Sequence, residues 1–480
     1  MAFNLPQMKN LLKIGKISLL ALGLCSLNSC KDYFDLTDNP NLVQTPPLNA
    51  MLTTATHKAA FNNYRVASFN NYYTQYLASS SPGSDTDTYQ ITNNSTTWDN
   101  LYYALADLHD MIVISTESQA YHHLGVAQLL TAYQLGLVAD TWGSAPYSQA
   151  FYQEPIILVP YDSQEALYQA QVDLIDKAIE NLSRADVTQP LGANNDLFFQ
   201  GSIEKWMKFS FGIQARVLNK ISKKSTYNPK AVLAATAKSL SANSDDVSMN
   251  TYDGINPWAS ISRGNLNNNL GGWLSTNFVN QLNGTTYGIE DPRVAKITEK
   301  TVHGVYIGTR NGEGNTGAAN TVRDECYISY NSPLTSDNSP IDILTYAEVK
   351  FIEAEAAFRD QNKTLAYSSY LAGVQANMTK LAVPKNQADA YIAAISKGAN
   401  SLTLLDIFKE KYIVTYLNSE SWNDVRRFDY QYKNFALPVG AVLGNEFIRR
   451  VAYPTNELAE NGTNVPAEVP LSTKLWWDQP

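Results

Sequence analysis

YHHLGVAQLLTAYQLGLV, residues 121–138, is the stretch of sequence that decides the fold. Its larger apolar residues recur every three or four positions, at Val126, Leu130, Tyr133 and Leu137. This period places them on one face of an α-helix. Gly125, Ala132 and Gly136 are small, so a neighbouring helix can approach closely. The stretch therefore predicts a helix packed tightly against other helices.

The same period recurs along most of the chain and predicts a mainly α protein. Asp162 and Glu165 form a capping-box pattern, and Asn228-Pro229 is an N-cap followed by proline at the first helical position. The predicted helices cover residues 48–77, 98–112, 121–138, 162–182, 202–221, 229–240, 342–359, 365–381, 387–397 and 402–417. Successive helices predict tetratricopeptide-like pairs. Because no strict repeat of about 34 residues is visible, we expect one compact α-superhelical body rather than an open solenoid.

Residues 243–335 break this pattern. They are rich in Gly and Asn, with short β-like runs at 305–307 and 326–328 and one helix near 275–282. We expect a large irregular, loop-rich insertion at about 243–335. It would belong to a single helical domain that spans residues 48–480.

Residues 1–29 have the pattern of a secretory signal peptide. Three lysines precede an apolar run, Ile17–Cys25, which is too short to cross about 30 Å of hydrocarbon. The sequence Leu-Asn-Ser-Cys at 27–30 resembles a bacterial lipobox and predicts acylation of Cys30. We expect a signal peptide at 1–29, a lipidated tether at 30–47 and a lipid-anchored envelope protein. The alternative is an ordinary cleaved signal with an incidental cysteine.

The composition is that of a folded, acidic protein. Hydrophobic residues make up 44% and charged residues 17% of the chain. Removing the three lysines of the signal lowers Lys+Arg from 36 to 33, against 45 Asp+Glu, so the mature net charge is −12. Such a surface does not attract nucleic acid by charge. With Cys25 removed and Cys30 acylated, Cys326 is left alone, which excludes an intramolecular disulfide.

Aromatic and amide residues near predicted loops indicate sugar binding. Sugars stack their C–H faces on aromatic rings while amides and carboxylates bond their hydroxyls. The first candidate cluster adjoins the polar loop 78–97 and comprises Tyr72, Tyr73, Asp85 and Tyr89, with Tyr76 and Asp87 beside them. The second comprises Trp258, Arg263, Asn265, Asn267 and Trp273, with Asn268 beside them. We expect part of these rings to be core, Tyr76 and Trp98 first.

The sequence predicts no cofactor and no metal site. Gly312–Gly317 matches GxGxxG, but the residues after it do not form the amphipathic helix of a dinucleotide site. His122 and His123 are adjacent, so on a helix they diverge by about 100° and cannot ligate one metal as an i, i+4 pair would. Asp85 and Asp87 could contribute to a calcium site, although a solvated loop is the simpler interpretation.

Further landmarks follow the lipobox in a fixed order. They are Asn39-Pro40, DTWGSAPYSQAF at 140–151, KWMKF at 205–209, Asp291-Pro292-Arg293, ILTYAEVKFIEAEA at 343–356 and ESWNDVRR at 420–427. Together they resemble the SusD/RagB family of Bacteroidetes nutrient-binding outer-membrane lipoproteins, in its SusD-like branch. The resemblance covers nearly the whole chain.

The resemblance implies an all-helical fold with four tetratricopeptide-like units and a variable region that carries ligand loops. It also implies a non-catalytic, surface-exposed outer-membrane lipoprotein that captures oligosaccharide, or sometimes peptide, for a SusC-like TonB-dependent transporter. Of the landmark residues, the three tryptophans Trp142, Trp206 and Trp422 are expected to pack helices. Glu348, Glu353 and Arg426 are expected to form ion pairs between helices. A lipid-anchored helical glycoside hydrolase and a surface scaffold remain the alternatives.

Overall fold

The computed structural model describes residues 46–151, 158–317, 322–467 and 469–480. The predicted signal peptide, Cys30 and the predicted tether up to residue 45 lie outside the described residues. Leu48–Pro480 form one compact unit. Within the described ranges, no helix is long and apolar enough to cross a membrane.

The predicted mainly α fold is confirmed, with fifteen α-helices and four short strands in the described part of the chain. The helices are α1 (Leu48–Tyr73), α2 (Ser95–Glu117), α3 (Tyr121–Trp142), α4 (Gln164–Leu182), α5 (Ile203–Lys220), α6 (Pro229–Thr236), α7 (Pro257–Leu266), α8 (Thr276–Leu282), α9 (Val294–Ile297), α10 (Tyr346–Arg359), α11 (Lys363–Lys380), α12 (Lys385–Ile395), α13 (Leu404–Val414), α14 (Ser421–Arg427) and α15 (Thr455–Glu460). The strands are β1 (Leu77–Ala78), β2 (Val247–Met249), β3 (Trp273–Leu274) and β4 (Ile341–Leu344). Strand β1 pairs antiparallel with β3, and β2 with β4. Every predicted helix is present, with its ends displaced by a few residues.

Helix α3 packs closely against α4 because of its glycines. A Cβ atom built on Gly125 would lie 2.7 Å from Cγ of Leu182 and 3.0 Å from the carbonyl oxygen of Ala178. A Cβ atom on Gly136 would lie 3.0 Å from Oε1 of Gln171. Real Cβ contacts are seldom this short, so both sites favour glycine. The predicted close approach is confirmed at both glycines.

The predicted capping box at the start of α4 is wrong. The N-cap is Ser163, whose hydroxyl accepts a hydrogen bond from the N–H of Ala166 at 3.2 Å. The Asp162 carboxylate instead accepts from the N–H groups of Tyr147 and Ser148, at 2.9 and 2.7 Å. Asp162 therefore fastens the segment after α3 rather than the end of a helix.

The predicted start of α10 at residue 342 is also wrong. Ile341–Leu344 is strand β4, and Leu344 is paired with Val247 of β2. The helix begins after Thr345, whose hydroxyl accepts from the N–H of Glu348 at 3.2 Å. The apolar residue at 344 satisfied the helical period, but the strand pairing decides its conformation.

The region 243–335 contains more regular structure than predicted. It carries α7, α8 and α9 where one helix was expected, together with β2 and β3. The β-like run 326–328 forms an isolated bridge rather than a strand, with Tyr327 opposite Trp273. The run 305–307 forms neither a strand nor a bridge, and a bridge joins Thr309, just after it, to Ser275. These bridges and short helices hold the loops that carry the candidate site.

The landmark tryptophans lie in the core, as predicted. Trp142 and Trp206 are 0% exposed and Trp422 is 1% exposed. The Trp142 indole donates to the carbonyl oxygen of Ala452 at 3.1 Å, and the Trp206 indole donates to Asp196 at 2.8 Å. Each buried indole N–H thus has an acceptor, which a buried donor needs.

The predicted ion pairs are confirmed only in part. Glu348 joins α10 to α5 through Arg216, with 2.7 Å between Oε2 and Nη2. Glu353 pairs with Lys350 on its own helix, at 2.7 Å. Arg426 has no carboxylate partner in the described ranges and donates to backbone carbonyl oxygens instead. The prediction is therefore wrong for Glu353 and Arg426.

His123 on α3 is a buried, neutral imidazole. Its Nε2 lies 2.9 Å from Oδ1 of Asn49, an atom that also accepts from the N–H of Gly192. The ring therefore donates from Nε2, and its buried Nδ1 has no partner among the described residues. Burial, together with the neighbouring His122, lowers the pKa of His123 to about 4.

This lowered pKa predicts that part of the stability is lost in mild acid. Because the unfolded imidazole, with a pKa of about 6.5, takes up its proton first, the contribution is complete above pH 6.5 and fades as the pH falls towards 4. The variant His123→Gln keeps a donor to Asn49 but does not titrate. We expect the free energy of unfolding to fall by about 2 kcal/mol more in the wild type than in the variant between pH 7 and 4.5. Equal losses in urea unfolding at the two pH values would contradict this.

Candidate functional site

Three segments that are distant in sequence meet around the carboxylate of Asp87. Its Oδ2 accepts from the N–H groups of Ser79 and Gly312, at 2.9 and 3.0 Å, and its Oδ1 accepts from Nδ2 of Asn311 at 2.9 Å. The carbonyl oxygen of Asn311 accepts from the N–H of Val439 at 2.9 Å. Burial raises the pKa of Asp87, and the three donors oppose that rise. Asp87 therefore joins the loop after α1 to two later segments of the chain.

Beside this junction lies a polar recess, which we call the amide cleft. Its volume is about 140 Å³. It is lined by Gln75, Ser275, Thr276, Asn277, Asn280, Thr286, Arg310, Asn311, Asn434, Ala436, Leu437 and Pro438. Sites for drug-sized ligands are typically roughly 300–1,000 Å³. The cleft thus has room for one small polar group, and a longer ligand would extend over its edge.

Helix α8 positions the amides on one wall of the amide cleft. Ser275 is its N-cap and accepts from the N–H of Asn277 at 3.3 Å. The Ser275 hydroxyl also donates to Oδ1 of Asn311 at 2.6 Å. Asn277 and Asn280 are three residues apart on the helix, so they lie on the same face. Both side chains are half-buried.

The lining of the amide cleft also includes an exposed guanidinium and an exposed amide. Arg310 has 65% of its side chain exposed, and its Nη1 lies 3.3 Å from Oε2 of Glu313. An exposed pair of this kind contributes only about 0–1 kcal/mol, so a ligand can redirect the guanidinium at little cost. Asn434 is exposed, and Gln75 fastens its segment by donating to the carbonyl oxygen of Ala436 at 2.6 Å. The cleft thus offers amides, hydroxyls and one mobile cation to a polyhydroxylated ligand.

The structure buries the rings of the first predicted cluster. Tyr73 is 1% exposed and Tyr89 is 0% exposed, with their ring centroids 6.1 Å apart, and Tyr73 packs on Trp422 at 5.1 Å. Burial raises the pKa of the half-buried Tyr72 to about 12. The expectation that Tyr73 and Tyr89 offer ring faces to solvent is therefore wrong. Asp85 is exposed and remains a predicted ligand contact.

The second predicted cluster likewise contains both buried and exposed side chains. Trp258 and Trp273 are 4% and 6% exposed, so neither offers a free ring face. Asn265 is 2% exposed, and its side chain bonds to backbone groups of the neighbouring loops. The expectation that these three side chains are accessible is wrong, since each is used to hold the insertion together. Arg263 and Asn267 are exposed.

The exposed members of the two clusters do not line the amide cleft. Arg263 forms an ion pair with Asp337, with 2.6 Å between Nη2 and Oδ2. Neither Arg263 nor Asn267 nor Asp85 is among the residues that line the cleft. That Arg263, Asn267 and Asp85 contact a ligand stays a prediction, and the ligand would then lie on a surface separate from the cleft.

Sequence reasoning missed Asn277, Asn280, Arg310 and Asn434. The pair on α8 carried a detectable signal, because two amides three residues apart follow a serine N-cap. Arg310 lies just before the GxGxxG match at Gly312–Gly317, a pattern that gives no indication of sugar binding. Nothing local marks Asn434, since the polar residues that line the cleft with it lie more than 100 residues away in the sequence.

The described part of the chain contains no group of three or more His, Cys, Asp or Glu side chains that could hold a metal ion. At the position considered for calcium, both oxygens of Asp87 accept from N–H donors, and Asp85 is exposed. N–H donors compete with a cation for these oxygens.

Gly312, the first glycine of the GxGxxG match, lies in the loop junction described above. Its carbonyl oxygen accepts a hydrogen bond from the N–H of Gly83 at 2.9 Å.

Comparison with known proteins begins with sequence families. The SusD-like family described as "Starch-binding associating with outer membrane" matches residues 40–454. No curated protein matches the sequence.

Solved structures with the same architecture include several SusD homologues. A SusD/RagB family protein from Bacteroides thetaiotaomicron has a TM-score of 0.74 and 19% identity, covering 90% of this chain and 99% of that one. A SusD homologue from Bacteroides uniformis has a TM-score of 0.74 and 21% identity, with coverage of 90% and 99%. A chitin-binding SusD homologue from Flavobacterium johnsoniae has a TM-score of 0.73 and 21% identity, with coverage of 89% and 98%.

The fold is thus that of a mainly α protein built from tetratricopeptide-like helix pairs, with an irregular insertion that carries loops. The sequence match extends over most of the chain. The protein belongs to the SusD-like family, as its landmarks indicated.

Proposed function

We propose that this protein is a non-catalytic, cell-surface carbohydrate-binding lipoprotein. It captures oligosaccharide at the amide cleft and delivers it to a SusC-like TonB-dependent transporter in the outer membrane. The observation that carries the proposal is a cleft of amides and hydroxyls on a chain that matches a family described as starch-binding and associated with the outer membrane. The chitin-binding homologue from Flavobacterium johnsoniae has the same fold.

The chemistry of the cleft fits sugar hydroxyls. Each hydroxyl both donates and accepts, and so does each amide side chain. The half-buried Asn277 and Asn280 and the exposed Asn434 can each bond a hydroxyl of a ligand in the cleft. A ligand that replaces the weak Arg310–Glu313 pair gains a charged donor. The cleft lacks a free aromatic face among its lining residues, so hydrogen bonds would provide most of its selectivity.

Calorimetry with a panel of soluble oligosaccharides and peptides tests the proposal. We expect saturable binding of at least one oligosaccharide, which chromatography then recovers at its original length. Binding of peptides alone would favour a peptide-binding protein, and shortened products would favour a hydrolase. Failure of the whole panel to bind would favour a scaffold.

The double variant Arg310→Ala/Asn434→Gly is expected to weaken oligosaccharide binding by tenfold or more. Both side chains are exposed, and glycine suits the φ of +63° at residue 434, so the fold should tolerate their removal. Two ligand hydrogen bonds, one of them charged, are lost. Titration calorimetry measures the change. The matched control is Arg184→Ala, which removes a half-buried arginine with a neighbouring acidic partner, Asp186, from a site outside the cleft. Equal affinities of the double variant and the wild type would place the ligand elsewhere, and a loss in Arg263→Ala would assign it to the second predicted cluster.

The variant Cys30→Ala is expected to move the protein from the membrane fraction to the soluble fraction. Acyl chains on Cys30 would supply the attachment, since two or more chains anchor a protein stably. Fractionation followed by immunoblotting measures the distribution, with Cys326→Ala as the control for loss of a thiol. Unchanged fractionation of Cys30→Ala would contradict lipid anchoring at this residue.

The transporter partnership is tested by co-purification from membranes in mild detergent. We expect a large TonB-dependent β-barrel to be recovered with the protein in stoichiometric amount. Repeated recovery of the protein without such a partner would contradict this part of the proposal.

A further inference from the structure

A second, mainly apolar cavity is lined in part by Val442 and Leu443, which follow the segment 434–438 of the amide cleft in the sequence. Its volume is about 710 Å³, within the range of roughly 300–1,000 Å³ for small-molecule sites. Three aliphatic side chains that line it are unusually exposed: Ile91 at 68%, Val442 at 57% and Leu458 at 52%. Exposed aliphatic groups that converge on one cavity indicate a site where an apolar ligand or partner binds.

The same cavity is lined by a buried arginine. Arg450 is 7% exposed, and its buried Nε has no hydrogen-bond partner among the described residues. Within those ranges no carboxylate lies at ion-pair distance from its guanidinium. The ring of Tyr453 faces the guanidinium carbon at 4.9 Å, but the Tyr453 hydroxyl donates to the carbonyl oxygen of Ser144 at 2.8 Å.

A buried guanidinium without an anion is unfavourable. Removing a charge from water is costly, and a cation–π contact offsets only part of that cost. By comparison, the buried Arg216 and Arg427 are each paired with a carboxylate at 2.7 or 2.8 Å. Arg426, which has no carboxylate partner among the described residues, donates to backbone carbonyl oxygens instead. Arg450 differs from them in lining a cavity large enough for a ligand. Since none of the described residues brings a carboxylate to Arg450, a bound anion would supply the missing charge.

We propose that this cavity binds a small monocarboxylate with an apolar alkyl or aryl body. One guanidinium matches one carboxylate in a bidentate pair. The body of the ligand lies against Ile91, Val442 and Leu458, which excludes water from the pair and from the aliphatic side chains. The site is distinct from the amide cleft, so it adds a second ligand class to the proposed sugar binding.

The test uses 4-phenylbutyrate and its uncharged counterpart 4-phenyl-1-butanol, titrated into the full-length protein by calorimetry. We expect one saturable site that binds the acid at least tenfold more tightly than the alcohol. In Arg450→Gln this difference should disappear, because the amide retains hydrogen bonds but no charge.

A second variant keeps the proposal testable if Arg450→Gln does not fold. Val442→Trp fills the cavity from an exposed position and should abolish binding of both compounds. Val302→Trp, which changes a valine 60% exposed and outside the cavity, should leave binding unchanged. Absence of saturable binding to the wild type, equal affinities for acid and alcohol, or binding that survives Val442→Trp would overturn the proposal. Oligosaccharide affinity should be unaffected by Val442→Trp, so the two sites fail or succeed separately.

Discussion

Replacement of Arg293 by methionine is expected to lower the free energy of unfolding by about 3–5 kcal/mol. Arg293 is 0% exposed, and its Nη2 lies 2.6 Å from Oδ2 of Asp291 and also contacts Glu410. Its Nη1 donates to Asn377 at 3.1 Å. Without the guanidinium, the buried Asp291 carboxylate must remain unpaired or take up a proton, and among the described residues Glu410 keeps only Lys409, at 3.0 Å, as its cation. Unfolding in urea, followed by circular dichroism, measures the loss.

The control for Arg293→Met is Lys385→Met, which removes an exposed cation paired with Asp389 at 2.7 Å. Its side chain is 86% exposed, so the expected change is below about 1 kcal/mol. A loss for Arg293→Met as small as that of the control would contradict the assignment of the Asp291–Arg293–Glu410 cluster as a structural centre. Such a small loss of stability would imply that water reaches the carboxylates of Asp291 and Glu410.

Replacement of Gly312 by alanine is expected to separate the loops that form the amide cleft and to weaken oligosaccharide binding at least tenfold. Gly312 has φ +83°, and a Cβ atom built there would lie 2.0 Å from the carbonyl oxygen of Val439. That neighbour is backbone, so it cannot move without breaking the hydrogen bond from the N–H of Val439 to the carbonyl oxygen of Asn311. Calorimetry measures the affinity, and hydrogen exchange of the amides at 436–442 reports the loop separation.

The control for this variant is Gly304→Ala. Gly304 has φ +76°, close to that of Gly312, but a Cβ atom built there would have no neighbour within 4 Å. The two variants therefore share the backbone strain of a positive φ and differ in the clash. If both lower the affinity equally, the loss does not come from the contact between Gly312 and Val439.

The sequence predicted the helices well because their signals are local. Apolar residues at a period of three or four, the N-cap Ser202 and the Asn228-Pro229 start all act within one or two helical turns. Two local signals were misleading: the capping-box pattern of Asp162 and Glu165, where Ser163 is the N-cap, and the apolar residue Leu344, which suited both a helix and a strand. Its pairing with Val247, almost 100 residues earlier, decided in favour of the strand.

The candidate site was predicted less well because burial depends on contacts between distant residues. Tyr73 looked like a ring beside a polar loop, yet it packs on Trp422, about 350 residues further along the chain. Trp258 likewise packs on Tyr64 of α1, with 4.9 Å between ring centroids. The sequence showed which residue types suit sugar binding, but only the fold separates rings that stabilise the insertion from amides that face solvent.

A structure of the protein with the oligosaccharide that binds most tightly in the panel tests the central claim most directly. The account predicts sugar density in the amide cleft, with hydroxyls hydrogen-bonded to Asn277, Arg310 and Asn434, and an unbroken glycosidic chain. Sugar bound at another surface, with the amide cleft empty, would contradict it.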